Sequence, residues 1–295
     1  MRKLQEIANI LTLTQWNTLG VKGKMTVCVY FYMYSRLSGV RYYEEMANKL
    51  LDEVFDNITK MDISFENGLC GIGCMLNYLT KENYIEMDRD ALFDIDERLQ
   101  KNISLLPDIN NDYAVIPSVL YITSLDGMPK RKFKYFKSIL DMSDFYLDNI
   151  DKFKHPLRVA NSILHFLNFL ELNGIYKKRT KEIYKKTLVS LPVFINNSNN
   201  IYYDVETLKE IIRQSDKDVK EITNTIDKLD YSNISIDEEL KIDNLWQSFF
   251  YFPDVKREIN DIEEYFDKKL FNIQFNSSNI KYAFLGICII KNMKQ

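Results

Sequence analysis

The chain has 295 residues, 46% of them hydrophobic and 13% aromatic, and a formal net charge of −3. So much apolar side chain excludes a disordered polymer and allows one large domain or two ordinary ones. The small net charge singles out no class of partner, and four cysteines in so long a chain do not make a disulfide framework.

The first residues, Met1-Arg2-Lys3-Leu4-Gln5-Glu6-Ile7, begin an amphipathic helix whose stripe is Leu4, Ile7, Ala8 and Leu11. Gln5, Glu6 and Asn9 break the continuous apolar core that a signal peptide needs. An apolar run at 25–37 follows. Its part at 27–34 has strand-like composition but lies inside the longer run, which reads as a helix buried on most sides. Tyr43, Met46, Leu50, Val54 and Ile58 then recur at three- and four-residue steps and predict a second amphipathic helix.

The two kinds of segment alternate from there on. Apolar runs at 69–79, 114–125, 157–172, 201–212, 242–252 and 280–290 are separated by amphipathic stripes. The stripes are Leu92, Ile95, Leu99, Ile103; Phe133, Phe136, Leu140, Leu147, Ile150; Tyr176, Ile183, Leu188, Leu191; Val219, Ile222, Ile226, Leu229; and Val255, Ile259, Ile262, Phe266, Leu270. The run at 201–212 is the most polar of its set. Asn67-Gly68, Asp126-Gly127 and Asn173-Gly174 join no pair of alternating strands, and the last two fit helix C-termini. No run reaches the roughly 18 apolar residues of a membrane span. The expectation is a soluble cytoplasmic protein with reduced thiols and no membrane insertion.

Successive apolar runs start about 38 to 45 residues apart. A fixed period of helix pairs argues for a repeat architecture. An open solenoid exposes one concave face and needs capped ends. Wholly apolar helices instead suit an inner ring, shielded by an amphipathic outer ring. The sequence therefore predicts an all-α, single-domain chain over residues 1–295, an α/α toroid or double-layer helical barrel of about seven helix pairs. An open superhelix is the alternative.

Three of the nine glycines, Gly68, Gly71 and Gly73, fall within six residues at the start of the run at 69–79. Glycine inside a helix costs about 1 kcal/mol against alanine, so the cluster implies close backbone approach or a helix start open to a ligand. No strand precedes it and no Gly-Lys-Ser/Thr follows, so it is neither a dinucleotide fingerprint nor a P-loop.

The segment Phe65-Glu66-Asn67-Gly68-Leu69-Cys70-Gly71-Ile72-Gly73 resembles the Gly-Leu-x-Gly-Ile-Gly repeat signature of lanthionine synthetase C-like (LanC-like) proteins. Gly23-Lys24-Met25-Thr26-Val27-Cys28-Val29 is similar to the preceding repeat, with Thr26 in place of a glycine. Ala283-Phe284-Leu285-Gly286-Ile287-Cys288 is similar to a decayed last copy. The resemblance is closest to the short forms found near peptide-maturation genes. It implies inner and outer helices in equal number, and work in peptide natural-product (lanthipeptide-type) maturation or export.

The same resemblance implies where chemistry is missing. Active lanthionine cyclases hold zinc on two cysteines and a histidine, in a Trp-Cys-x-Gly and a Cys-His-Gly motif of late inner repeats. This chain has no Cys-His pair, its runs at 201–212 and 242–252 hold neither residue, and Trp246 is followed by Gln247. The family's zinc is therefore not expected, nor is cyclase activity. The expected partners are a precursor peptide or a maturation enzyme.

Other chemistry has fewer carriers. Cys28, Cys70, Cys74 and Cys288 all fall on inner runs, and Cys70 and Cys74 share a helix face. In a closed ring the first, second and seventh inner helices adjoin, so a relocated metal or thiol site is open to these four. Small buried apolar side chains are the plainer reading. His155, before Pro156 at the mouth of the fourth inner run, is the one candidate acid/base; the family has glycine after its histidine. His165, among Leu164, Phe166 and Leu167, reads as a satisfied core histidine.

Glu66 and Asn67, with Gly68, Cys70, Gly71, Gly73 and Cys74, are the candidate cavity rim. As plain structure, Asn67 fits an N-cap and Glu66 the turn beside it. An α/α-toroid glycosidase is the rival enzyme, with Asp126, Glu171 and Asp243 as carboxylates that no spacing pairs.

Residues 129–186 hold fourteen Lys/Arg against six Asp/Glu, and 204–243 hold twelve acids against six bases. A peptide dock on a dipolar surface and ordinary solvated faces both fit this. No nucleic-acid motif is present.

Overall fold

The alternation along the chain is an alternation of helices. The computed structural model describes residues 1–87, 92–103, 115–124, 133–153, 155–197, 202–213, 224, 226 and 279–293. The helices are α1 (Arg2–Leu13), α2 (Lys24–Ser38), α3 (Arg41–Phe55), α4 (Leu69–Lys81), α5 (Phe93–Ile103), α6 (Val115–Ser124), α7 (Phe133–Asp148), α8 (Pro156–Leu172), α9 (Lys177–Asn197), α10 (Tyr202–Arg213) and α11 (Ile280–Met293). Single 3-10 turns stand at Ile58–Lys60 and Ile150–Lys152, and no strand occurs among the described residues. The chain is thus all-α where it is described. The predicted helices at 242–252 and 255–270 lie outside the described residues, as does that at 219–229 apart from residues 224 and 226.

The chain divides into two units, residues 1–91 with 233–295, and residues 92–232. In the first unit α2 is the centre. Residues 25–35 are buried without interruption, so the strand-like stretch at 27–34 is helix enclosed on every side. Such a helix needs neighbours all round, and α1, α3, α4 and α11 supply them. α3 turns Tyr43, Ala47, Leu50, Leu51 and Val54 inward and leaves Glu44, Glu45, Lys49, Asp52 and Glu53 exposed. Gly39 ends α2 in the left-handed region at φ +72°, its N–H bonded to Ser35 O at 2.8 Å. Glycine takes that conformation without a Cβ penalty.

α11 runs antiparallel to α1 beside α2. Asn279 Nδ2 donates to Thr14 Oγ1 at 3.1 Å at one end. Further along, Tyr30 donates its hydroxyl to Leu4 O at 2.5 Å. Gly286 faces the same tyrosine, and a Cβ there would stand 2.3 Å from Tyr30 Cε2. The ring and the α11 backbone meet only because that position carries no side chain.

In the second unit α8 holds the central place, packed by α6, α7, α9 and α10. Its buried set runs from Leu157 to Leu170 and includes Asn161 and Ser162. Tyr121 Oη donates to Asp96 Oδ1 at 2.8 Å and ties α6 to α5. Arg179 and Lys186 of α9 both reach Asp144 of α7, and Lys186 lies 2.8 Å from its Oδ1. Asn173-Gly174 closes α8 as its composition predicts, with Gly174 at φ +67° and Ile175 N bonded to Leu170 O at 2.9 Å.

Candidate functional site

The glycine cluster joins two helix starts. Lys22 N donates to Glu66 O at 3.0 Å, and Lys22 Nζ lies 2.7 Å from Glu66 Oε1, so the loop before α4 lies on the loop before α2. A Cβ on Gly71 would stand 1.9 Å from Phe65 O and 2.6 Å from Val21 Cγ2, and one on Gly20 2.6 Å from Glu66 O. Gly68 and Gly73 are buried in the same start. Small residues here let two loops and two helices share space that any side chain would fill.

The capping differs from the sequence reading. Gly68, not Asn67, is the N-cap of α4, and no side chain caps the helix. Leu69 N donates instead to Asp62 O at 2.8 Å, and Asn67 is left exposed. α2 is closed in the same manner, with Lys24 N bonded to Thr18 O at 3.0 Å and Met25 N to Leu19 O at 3.1 Å. Thr26 is buried and donates its hydroxyl to Val21 O at 2.6 Å. Backbone carbonyls thus take first-turn N–H groups that a bound anion would otherwise use.

Three of the four cysteines are buried. Cys28 is buried, and its Sγ lies 2.9 Å from Ala47 O, toward α3 rather than α4 or α11. Burial, then the charge of Asp52, pushes its thiol well above the usual range. Cys70 is raised likewise by burial and then by Cys74 and Asp62, and Cys74 is buried beside it. Cys288 is half-buried on α11. Among the described residues no three His, Cys, Asp or Glu side chains come together as a metal site.

His155 is the N-cap of α8, half-buried, with Pro156 at the first helical position. His165 accepts or donates at Thr123 Oγ1 on α6, 3.2 Å from its Nε2. Its ring is enclosed enough that burial lowers its pKa from 6.5 to about 4, so it is neutral at physiological pH. Of the glycosidase carboxylates, Glu171 is exposed in the last turn of α8, and Asp126 and Asp243 lie outside the described residues. Along α9, Lys177, Lys178, Lys181 and Lys185 are exposed. Arg179 and Lys186 are engaged by Asp144. Burial alone would raise the Asp144 carboxyl, but Lys186 and then Arg179 hold it below the usual range. Lys130, Arg131 and Lys132 lie outside the described residues.

Two features escape sequence reasoning. One is a buried polar contact of α8 with α10. Arg158 Nε lies 3.2 Å from Asp204 Oδ1 and Asn161 Nδ2 donates to Asp204 O at 2.6 Å, with Asp204 only 5% exposed. The signal was a lone arginine in the apolar run at 157–172. The other is a cleft in the first unit, walled by the end of α1, residues 14–17, α2 and α3. Its residues come from three successive helices and the segment between the first two, and form no motif.

Comparison of the chain with protein-family models, with curated proteins and with solved structures finds no match.

Proposed function

We propose that this chain is a LanC-like protein of lanthipeptide-type maturation or export, which binds a precursor peptide or a maturation enzyme and does not cyclise. On this reading the helix pairs close into a double ring. One observation carries it: α2, the first inner helix, has the glycine-led α4 and the last inner helix α11 both packed against it. In an open solenoid each repeat touches only its sequence neighbours. Contact of the first inner helix with both the second and the last is what a closed ring requires, and the glycine signature of the family lies at that junction.

On this reading the family's zinc is left out. α10, where the resemblance places a late inner repeat, holds neither cysteine nor histidine. On this reading the function is binding, and the exposed lysines along α9 favour an acidic peptide segment.

The test is titration of the purified protein with the precursor peptide encoded beside its gene, at low and high salt. Saturable binding that weakens with salt is expected; no binding at any salt overturns the reading. Metal analysis tests the second half. Stoichiometric zinc that disappears in Cys70→Ala would restore a catalytic role.

A further inference from the structure

We propose that the cleft in the first unit binds a zwitterion: an α-amino acid or very short peptide that keeps both its ammonium and its carboxylate and bears an apolar side chain. The proposal goes beyond peptide maturation and stands whether or not the helices close into a ring. The cleft has a volume of about 420 Å³, within the range of small-molecule sites.

Its wall mixes polar groups with a smaller apolar share, and its base is fixed. Phe31 and Leu11 are each 1% exposed, and Trp16 is held by its indole N–H on Leu11 O at 3.1 Å. Thr12 and Thr14 line the wall but donate their hydroxyls to Ala8 O and Ile10 O, both at 2.8 Å. The amides of Gln15 and Asn17 also line it, and neither makes a hydrogen bond among the described residues. They are available to a ligand's polar atoms.

The charged pair sets the chemistry. Lys24 and Glu53 form an ion pair at the cleft, with the lysine side chain 14% exposed and the glutamate 53%. The cation is deep and the anion stands at the mouth, free to change rotamer. A charge enclosed to this degree must keep a partner. A ligand carboxylate satisfies Lys24, and Glu53 turns to the ligand's ammonium, so every charge remains compensated. An anion alone leaves Glu53 without its partner, and a cation alone must compete with Lys24. Only a ligand with both ends replaces the pair fully, and its apolar side chain then lies against Trp16, Met46 and Leu50.

Leucine is the probe. The chain has two tryptophans, so Trp246→Phe leaves Trp16 as the sole emitter in the cleft. Its fluorescence is followed during titration with L-leucine, leucyl-leucine, glycine, N-acetyl-L-leucine and L-leucinamide. Calorimetry on the unaltered chain repeats the series without relying on that variant. Saturable binding of leucine or leucyl-leucine is expected, with the tighter of the two identifying free amino acid or short peptide as the source. The two capped analogues and glycine should bind at least about tenfold more weakly, a difference of about 1.4 kcal/mol. Lys24→Met and Glu53→Gln should weaken leucine by a similar factor with an unchanged helical circular-dichroism spectrum. Absence of saturable binding to the unaltered chain overturns the proposal. So does equal affinity for the capped analogues, which would mean a merely apolar cleft, or full affinity in folded Lys24→Met.

Discussion

Protonating His165 places a charge on a ring held between α6 and α8. Burial moves its pKa from 6.5 to about 4, so in the unfolded chain it takes up its proton at higher pH than in the folded one. The contribution of the neutral ring to stability is therefore complete above pH 6.5 and falls as pH drops toward 4. The loss between pH 7 and pH 5 is at most about 2 kcal/mol. Urea denaturation of the unaltered chain and of His165→Gln at both pH values should show that difference shrinking in the variant. An equal pH dependence would mean that other groups cause it. Gly71 is a second case in which a single atom matters. Its missing Cβ could be read from sequence as a need for space. That the space belongs to Phe65 O and Val21 could not, because neither lies on its helix.

At the scale of elements, α8 and α10 meet through a buried ion pair rather than through apolar stripes alone. Arg158 is 13% and Asp204 6% exposed at the side chain. Arg158→Met should leave an unpaired buried carboxylate and destabilise the fold by about 3–5 kcal/mol. Adding Asp204→Leu should recover much of that loss, since replacing both partners removes the desolvated charge. Denaturation of the single and double variants checks this; additive losses would show that the pair is not the joining element. Helix positions themselves were well marked in the sequence. The apolar run predicted at 157–172 is α8 from 156 to 172, and that at 280–290 is α11 from 280 to 293. Periodicity locates a helix because it records which face meets protein. It does not say which protein, so the Arg158–Asp204 contact, 46 residues apart, left no trace of its pairing.

At the scale of the molecule, the first and last described helices pack together within one unit. α1 and α11 are antiparallel, with Thr14 at Asn279 and Leu4 near Gly286 through Tyr30. Met1 and Met293 thus lie at the same end of that unit. Joining the termini by a short Gly/Ser linker and reopening the chain between the exposed residues Asn173 and Gly174 should give a soluble, helical permutant. An insoluble permutant with little helical signal would count against adjacent ends.

Among the described residues, the amino-acid sequence by itself determined the all-α class, the helix positions and the alternation of enclosed and amphipathic helices. Those follow from local spacing and from how many apolar residues face each way, and both are written along the chain. Only the tertiary structure decided what the glycines touch, that α11 lies against α2, that Gly68 rather than Asn67 caps α4, and that Lys24, Glu53 and Trp16 share a cleft. Each of these depends on residues brought together from separate helices, and pairing across the chain carries no periodic signal.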